Sequence, residues 1–160
     1  MNQGLHPLDI VIAWVDGNDI SLKNKRRQFM NQNEPSNALD DTRFASNDEI
    51  YFCIASILKY VPYAGTIYVV TDQQTPLWLE QFSQQGLCPA EKIKIVDHQE
   101  LFRGYEFALP TFNSLSIESM LWNIEGISNH FIYLNDDFFF NQKSDLSDFL
   151  IDGQMVIYGH

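Results

Sequence analysis

Four short apolar runs set the pattern of the chain: Asp9-Ile-Val-Ile-Ala-Trp-Val15, Thr66-Ile-Tyr-Val-Val-Thr71, Lys92-Ile-Lys-Ile-Val-Asp97 and His130-Phe-Ile-Tyr-Leu-Asn135. All are rich in β-branched or aromatic residues. The near-continuous hydrophobicity of the first predicts a strand buried on both faces, as in a parallel sheet, and the others read as its neighbours. Between them the period lengthens. Ile50, Ile54, Ile57, Leu58 and Val61 recur at helical spacing behind Ser46-Asn-Asp-Glu49, which has the form of a capping box, and Pro62 closes that segment. Thr75-Pro76 predicts the start of another helix, with proline in the first turn where a missing N–H costs nothing, and Gly86 its end. Ile117, Leu121 and Ile124 predict a helix from near Ser114 to Ile124. A short helix around Ser144 to Leu150 and a strand-like run from Met155 to Tyr158 follow.

Strands alternating with helices predict an α/β layered fold, a mostly parallel sheet with helices on both faces, in one domain over residues 1–160. Ligands of such sheets sit beyond the carboxyl ends of the strands. Each of the four strands leads into an aspartate there: Asp16, Asp72, Asp97 and Asp136. They are candidates for one common cleft.

Charge narrows the ligand classes. Among 160 residues, acidic side chains outnumber basic ones 21 to 10, a formal net charge of −11. That field repels a phosphate backbone and argues against nucleic-acid binding, while leaving room for a local site for one anion. Four basic residues crowd into Lys23, Lys25, Arg26 and Arg27, read as a solvated helix face. The Asn31–Asn37 stretch reads as an exposed loop. Two cysteines are too few for a disulfide framework or a cysteine-based zinc site, and Cys53, among apolar neighbours, reads as a small buried hydrophobe. No membrane-length apolar run and no basic-then-apolar leader occur, so the expectation is a soluble, cytoplasmic chain.

Asn135-Asp136-Asp137 carries the strongest chemistry. Adjacent carboxylates at a strand end supply hard oxygen ligands for Mg²⁺ or Mn²⁺, whose remaining ligands come from water and a substrate diphosphate. The same tripeptide also makes ordinary turns. Apolar residues on both sides, Phe131 to Leu134 and Phe138 to Phe140, tilt the reading toward a site. In Trp14-Val-Asp-Gly-Asn-Asp19, Trp14 offers a flat face, Asp16 a hydroxyl acceptor and Gly17 close backbone approach. A buried tryptophan before a plain Asp-Gly turn explains those residues equally simply. Arg43 is suited to phosphate or to a surface ion pair, and His98 to acid–base work, metal ligation or backbone hydrogen bonding. Glu49 is explained by the capping box.

These residues together resemble the Stealth family of polysaccharide phosphotransferases. Leu8-Asp-Ile-Val-Ile-Ala-Trp-Val-Asp-Gly-Asn-Asp19 is similar to its first region. Its second is matched by Arg43-Phe44, Asn47-Asp48-Glu49, Ile67 to Asp72, Pro76-x-Trp78-Leu79, Val96-Asp-His98, Leu109 to Asn113, Ile117-Glu118 and Phe131 to Phe138. The resemblance implies a nucleotide-sugar transferase-like fold (GT-A or Rossmann-like) and transfer of a hexose-1-phosphate from a nucleotide sugar, usually a UDP-hexose, to a glycan hydroxyl. Carried onto these positions, it implies Asp136 and Asp137 at an Mg²⁺ or Mn²⁺ ion, and Trp14, Asp16, Gly17 and Asp72 around the donor. Arg43 is then assigned to phosphate and His98 to acid–base work. The implied partners are a nucleotide-sugar donor and a polysaccharide acceptor, with peripheral association to capsule assembly machinery at the inner membrane face. Two further family regions are expected downstream, which reads this chain as the N-terminal part of a longer transferase. An ordinary metal-dependent glycosyltransferase and a donor-binding module without turnover are the competing readings.

Overall fold

A computed structural model describes residues 8–29 and 46–158. Arg43 and the Asn31–Asn37 stretch lie outside the described residues. All four apolar runs form strands: β1 (Asp9–Ala13), β2 (Ile67–Thr71), β3 (Ile93–Asp97) and β4 (Phe131–Asn135). They build one parallel sheet in the order β3-β2-β1-β4. The chain therefore winds outward from β1 through β2 to β3, then crosses back to place β4 on the other side of β1. That reversal makes the carboxyl edge between β1 and β4 a topological switch point, where two connections leave in opposite directions and open a crevice.

Alternation along the strands divides the core in two. Ile10, Ile12, Ile67 and Val69 face helix α2 (Glu49–Tyr60), which buries Ile50, Cys53, Ile54 and Ile57 against them. Val11, Val70 and Val96 face the opposite way, onto Leu101, Phe102, Met120, Leu121 and Ile124. Helix α1 (Ile20–Phe29) follows β1, starting at Asp19, whose carboxylate accepts from the N–H groups of Ser21 at 2.7 Å and Leu22 at 3.4 Å.

Several local expectations are corrected. Ser46 does not cap α2. The residue before the helix, Asp48, sits in the left-handed region at φ 66°, and the Glu49 carboxylate turns back to the Asn47 N–H at 2.6 Å. The helix expected from Thr75-Pro76 is reduced to α3 (Gln81–Gln84), preceded by turns through Pro76 to Trp78. Its end at Gly86 is as expected: φ is +73°, and Leu87 N–H reaches back to Phe82 O at 2.9 Å, closing a Schellman-type turn. The 114–124 helix breaks into α5 (Ser114–Glu118) and a 3-10 turn at Leu121–Asn123. Ile117, Met120 and Leu121 nevertheless pack in one cluster, so the broken segment keeps the face that its spacing predicts. The 144–150 helix shrinks to a 3-10 turn, Leu146–Asp148, and the final run pairs only Leu150–Ile151 (β5) with Gln154–Met155 (β6). The basic cluster is not simply solvated either: Arg26 is buried, and Lys25 reaches Asp72.

Asp9 fixes the amino end of the sheet. It is 2% exposed and accepts from Thr66 N–H at 2.7 Å and Ser128 N–H at 2.8 Å, tying the entries to β2 and β4 onto β1. Asp9→Ala leaves both donors without that acceptor and is expected to cost about 2–4 kcal/mol, with Asp9→Asn costing less. Urea unfolding checks this: a midpoint unchanged in Asp9→Ala would contradict the role given to this carboxylate.

Candidate functional site

The carboxyl ends of β1, β2 and β4, the head of α4 (His98–Leu101) and the start of α5 surround a cleft of about 540 Å³. Five residues singled out from the sequence line it: Trp14, Asp72, His98, Asp136 and Asp137. The rule that ligands sit where parallel strands end thus gathers residues as distant in sequence as 14 and 137.

Each is positioned by its strand. Trp14 continues the α2-facing register of Ile10 and Ile12 and is buried, yet among the described residues its indole N–H has no hydrogen-bond partner. His98 follows β3 directly and is 7% exposed, with Nδ1 buried and unpartnered. Burial pushes its pKa down, against the opposing pull of Asp72 and Asp97, so the ring is neutral at pH 7. Buried polar atoms normally find partners; among the described residues Thr71 Oγ1, away from the cleft, shares this condition with the Trp14 and His98 nitrogens.

Asp136 and Asp137 follow β4 in a turn closed by Phe138 N–H to Asn135 O at 3.2 Å. Beyond it the chain docks onto α2 through Phe140 N–H to Ser56 Oγ at 3.1 Å. Burial raises the Asp136 pKa to about 6, with Asp137 and Glu49 adding repulsion. Burial first, and then these same aspartates, push the Cys53 thiol up to about 12, so it is inert packing, as expected. Asp72 is already engaged: Lys25 Nζ reaches both of its carboxylate oxygens at 2.7 Å, pinning α1 to the end of β2.

The remaining strand-end carboxylates serve the backbone. Asp97 caps α4 through Gln99 N–H at 2.8 Å and also accepts from Gln73 N–H at 2.6 Å. Asp16 accepts from Asn18 N–H at 2.9 Å, and Gln74 clamps this turn through Asp16 N–H, Asp16 O and Asp19. Neither Asp16 nor Gly17 lines the cleft, although Trp14 and Val15 do. Only two of the four strand-end aspartates, Asp72 and Asp136, share it.

Asn47, Glu49, Tyr133 and Asn135 also line it, without having been assigned to it from the sequence. Tyr133 is two residues before Asn135, hence on the same strand face, and that period was the available signal. Its hydroxyl lies 3.2 Å from Asn135 Oδ1, and burial together with hydrogen-bonded Glu118 holds its pKa up at about 12. Glu118 and Glu49 were hidden by their helical positions.

The cleft is strongly anionic. Glu49, Asp72, Asp136 and Asp137 line it, and among the described residues no lysine or arginine does. Two adjacent aspartates, one carrying a raised pKa beside two further carboxylates, suit a hard divalent cation, which relieves that repulsion. Among the described residues no group of three or more His, Cys, Asp or Glu is arranged to hold a metal. Two carboxylates alone could serve only an ion that takes its remaining ligands from water or a bound substrate.

Comparison with known proteins fits this geometry. Residues 43–157 match the family model of Stealth protein CR2, conserved region 2. An exopolysaccharide phosphotransferase of Streptomyces coelicolor is 44% identical over 133 residues, 83% of this chain and 23% of that protein. Capsular polysaccharide phosphotransferases of Neisseria meningitidis and Actinobacillus pleuropneumoniae are each 38% identical, over 82% and 89% of this chain and 34% and 38% of their own lengths. The chain thus spans well under half of these relatives. With a family model covering most of its length, the chain belongs to the Stealth family.

Proposed function

We propose that this chain forms the donor-binding and metal-holding part of a sugar-1-phosphate transferase of polysaccharide synthesis. The observation that carries this reading is the convergence of Trp14, His98, Asp136 and Asp137 on one cleft at the switch point of the sheet. The relatives' names, capsular and exopolysaccharide phosphotransferases, supply the reaction class.

The donor in this reading is a nucleotide sugar, with a UDP-hexose as the first choice. Its diphosphate would lie toward Asp136 and Asp137, the residues that would hold Mg²⁺ or Mn²⁺. The bound ion supplies charge neutralisation for the diphosphate in an otherwise anionic cleft. The Trp14 indole N–H offers a hydrogen bond to a donor oxygen, and the unprotonated nitrogen of neutral His98 accepts from the acceptor hydroxyl. An acceptor glycan hydroxyl attacks the phosphorus nearer the sugar, the bond from that phosphorus to the bridging oxygen breaks, and nucleoside monophosphate leaves. Neutral His98 is suited to take the hydroxyl proton. Arg43, outside the described residues, keeps its assignment to phosphate, whereas Asp16 and Gly17, which do not line the cleft, are left out of the donor site. No helix among the described residues is long and apolar enough to cross a membrane. A cytoplasmic protein recruited to the inner membrane face is part of this proposal.

Product identity tests the reading. With UDP-N-acetylglucosamine as donor probe and a glycan acceptor, uridine monophosphate is expected, and Asp136→Asn and Asp137→Asn are expected to lower its rate at least about 100-fold. Uridine diphosphate would place bond cleavage at the sugar carbon and sink the phosphotransfer reading. Donor binding without any turnover would confine the chain to the donor-binding role.

The raised pKa of Asp136 gives a second test, on stability. Its ordinary value is 3.8 and its folded value about 6, so the folded state holds this proton more tightly than the unfolded one. Stability therefore falls as pH rises between those values, and the penalty is complete above about 6. In metal-free protein, Asp136→Asn is expected to add on the order of 1–2 kcal/mol at pH 7.5, after allowance for solvent screening, and almost nothing near pH 4. Urea midpoints at the two pH values measure this, and a variant less stable than wild type at the higher pH would contradict it.

A further inference from the structure

The register of the sheet brings two cleft residues side by side. β2 and β3 pair Thr71 with Asp97 and, one step earlier, Val70 with Val96, both on the face that packs onto Leu101 and Phe102. Continuing that alternation sets Asp72 and His98, the next residues of the two strands, on the same face as neighbours. The His98 ring lies 6.3 Å from that of Phe102, in the same cluster, and both Asp72 and His98 line the cleft. Neighbouring strands are about 4.8 Å apart, which brings a carboxylate within reach of the imidazole. Yet Asp72 turns both oxygens to Lys25 Nζ, each at 2.7 Å, while His98 Nδ1 has no partner among the described residues.

Helix α1 delivers that lysine. Leu22, Lys25 and Arg26 stand three and four residues apart on one face of it. Leu22 lines the cleft and Arg26 is buried, so the face is turned into the protein. The Asp72 side chain is 9% exposed, which makes this ion pair a part of the cleft wall. The other charges near the ring are placed differently. Asp97 accepts from Gln73 N–H at 2.6 Å and Gln99 N–H at 2.8 Å, and Glu49, Asp136, Asp137 and the Tyr133 phenol line the same cleft. Burial does most to push the His98 pKa down; Asp72 and Asp97 pull it up, and Lys25 works against them.

We propose that Lys25 is a positioning residue for His98: by holding the Asp72 carboxylate on its ammonium, it keeps that carboxylate from pairing with the imidazole and leaves the ring neutral. Without the lysine, a bare carboxylate stands beside the ring, the arrangement that stabilises an imidazolium. A ring that already carries its second proton cannot take another from a hydroxyl. One member of the basic cluster on α1 thus acts on the cleft without lining it. The use of neutral His98 as a base rests on the phosphotransferase reading; the charge relation among the three side chains does not.

NMR titration of the His98 ring in metal-free protein tests this, with its resonance identified by its loss in His98→Gln. Lys25→Met is expected to raise the midpoint by about one pH unit, and Lys25→Arg, which keeps the ion pair, by much less. Asp72→Asn, which leaves an unpaired ammonium near the ring, is expected to lower it, and it reads the same relation should Lys25→Met fail to fold. Adding Asp72→Asn to Lys25→Met is expected to bring the midpoint back toward the wild-type value. A loosened α1 would instead hydrate the ring and raise the midpoint with or without the carboxylate. An unchanged midpoint in Lys25→Met overturns the proposal, and so does a rise that persists undiminished in the double variant. In the phosphotransfer assay the acid limb of the rate profile is expected to move up with the midpoint, and a limb that stays in place overturns the positioning role. Midpoints that move as expected in a chain that releases no uridine monophosphate sink the phosphotransferase reading and leave the charge relation standing.

Discussion

Burial of the parallel sheet on both faces is the constraint from which the rest follows. α2 covers one side of β1 and β2, while residues of the β3–β4 connection cover the other. Polar chemistry is confined to the strand ends, and the return of the chain across β1 to form β4 opens the carboxyl edge at one place. The amino edge is held by the buried Asp9, whose two backbone contacts secure the entries to β2 and β4. One edge is closed by hydrogen bonds, and the other is left for function.

Electrostatics at that open edge run against folding. Four carboxylates line the cleft, and Asp136 is held partly out of water beside two of them. Only Asp72 has a cationic partner among the described residues, Lys25. In the proposed reading a divalent cation would offset this repulsion and the added negative charge of a diphosphate.

Much of this was legible in the sequence, for a physical reason. Runs of β-branched residues have few ways to bury both faces, so all four strands fall within a residue or two of their expected bounds. Gly86 ends its helix because few other residues adopt a positive φ so easily. The connections were less legible. Ser46 to Glu49 fits a capping box by spacing, yet the carboxylate of Glu49 serves Asn47 and faces the cleft. The 114–124 segment has helical periodicity throughout but breaks after Glu118 into a 3-10 turn, a break that the spacing does not encode. Strand-end aspartates look alike in sequence: Asp97 caps a helix and Asp16 closes a turn, while Asp136 faces the cleft. Which of them meet depends on where the sheet reverses, and no local pattern encodes that.

The central claim is that this edge holds a nucleotide sugar through a divalent ion. Calorimetric titration of UDP-N-acetylglucosamine into the chain, first with Mg²⁺ and then with EDTA, tests it most directly. Binding with Mg²⁺ that disappears with EDTA is the predicted result. Equal affinity in both conditions would contradict the role given to Asp136 and Asp137, and no binding in either would contradict the assignment of the cleft to this donor.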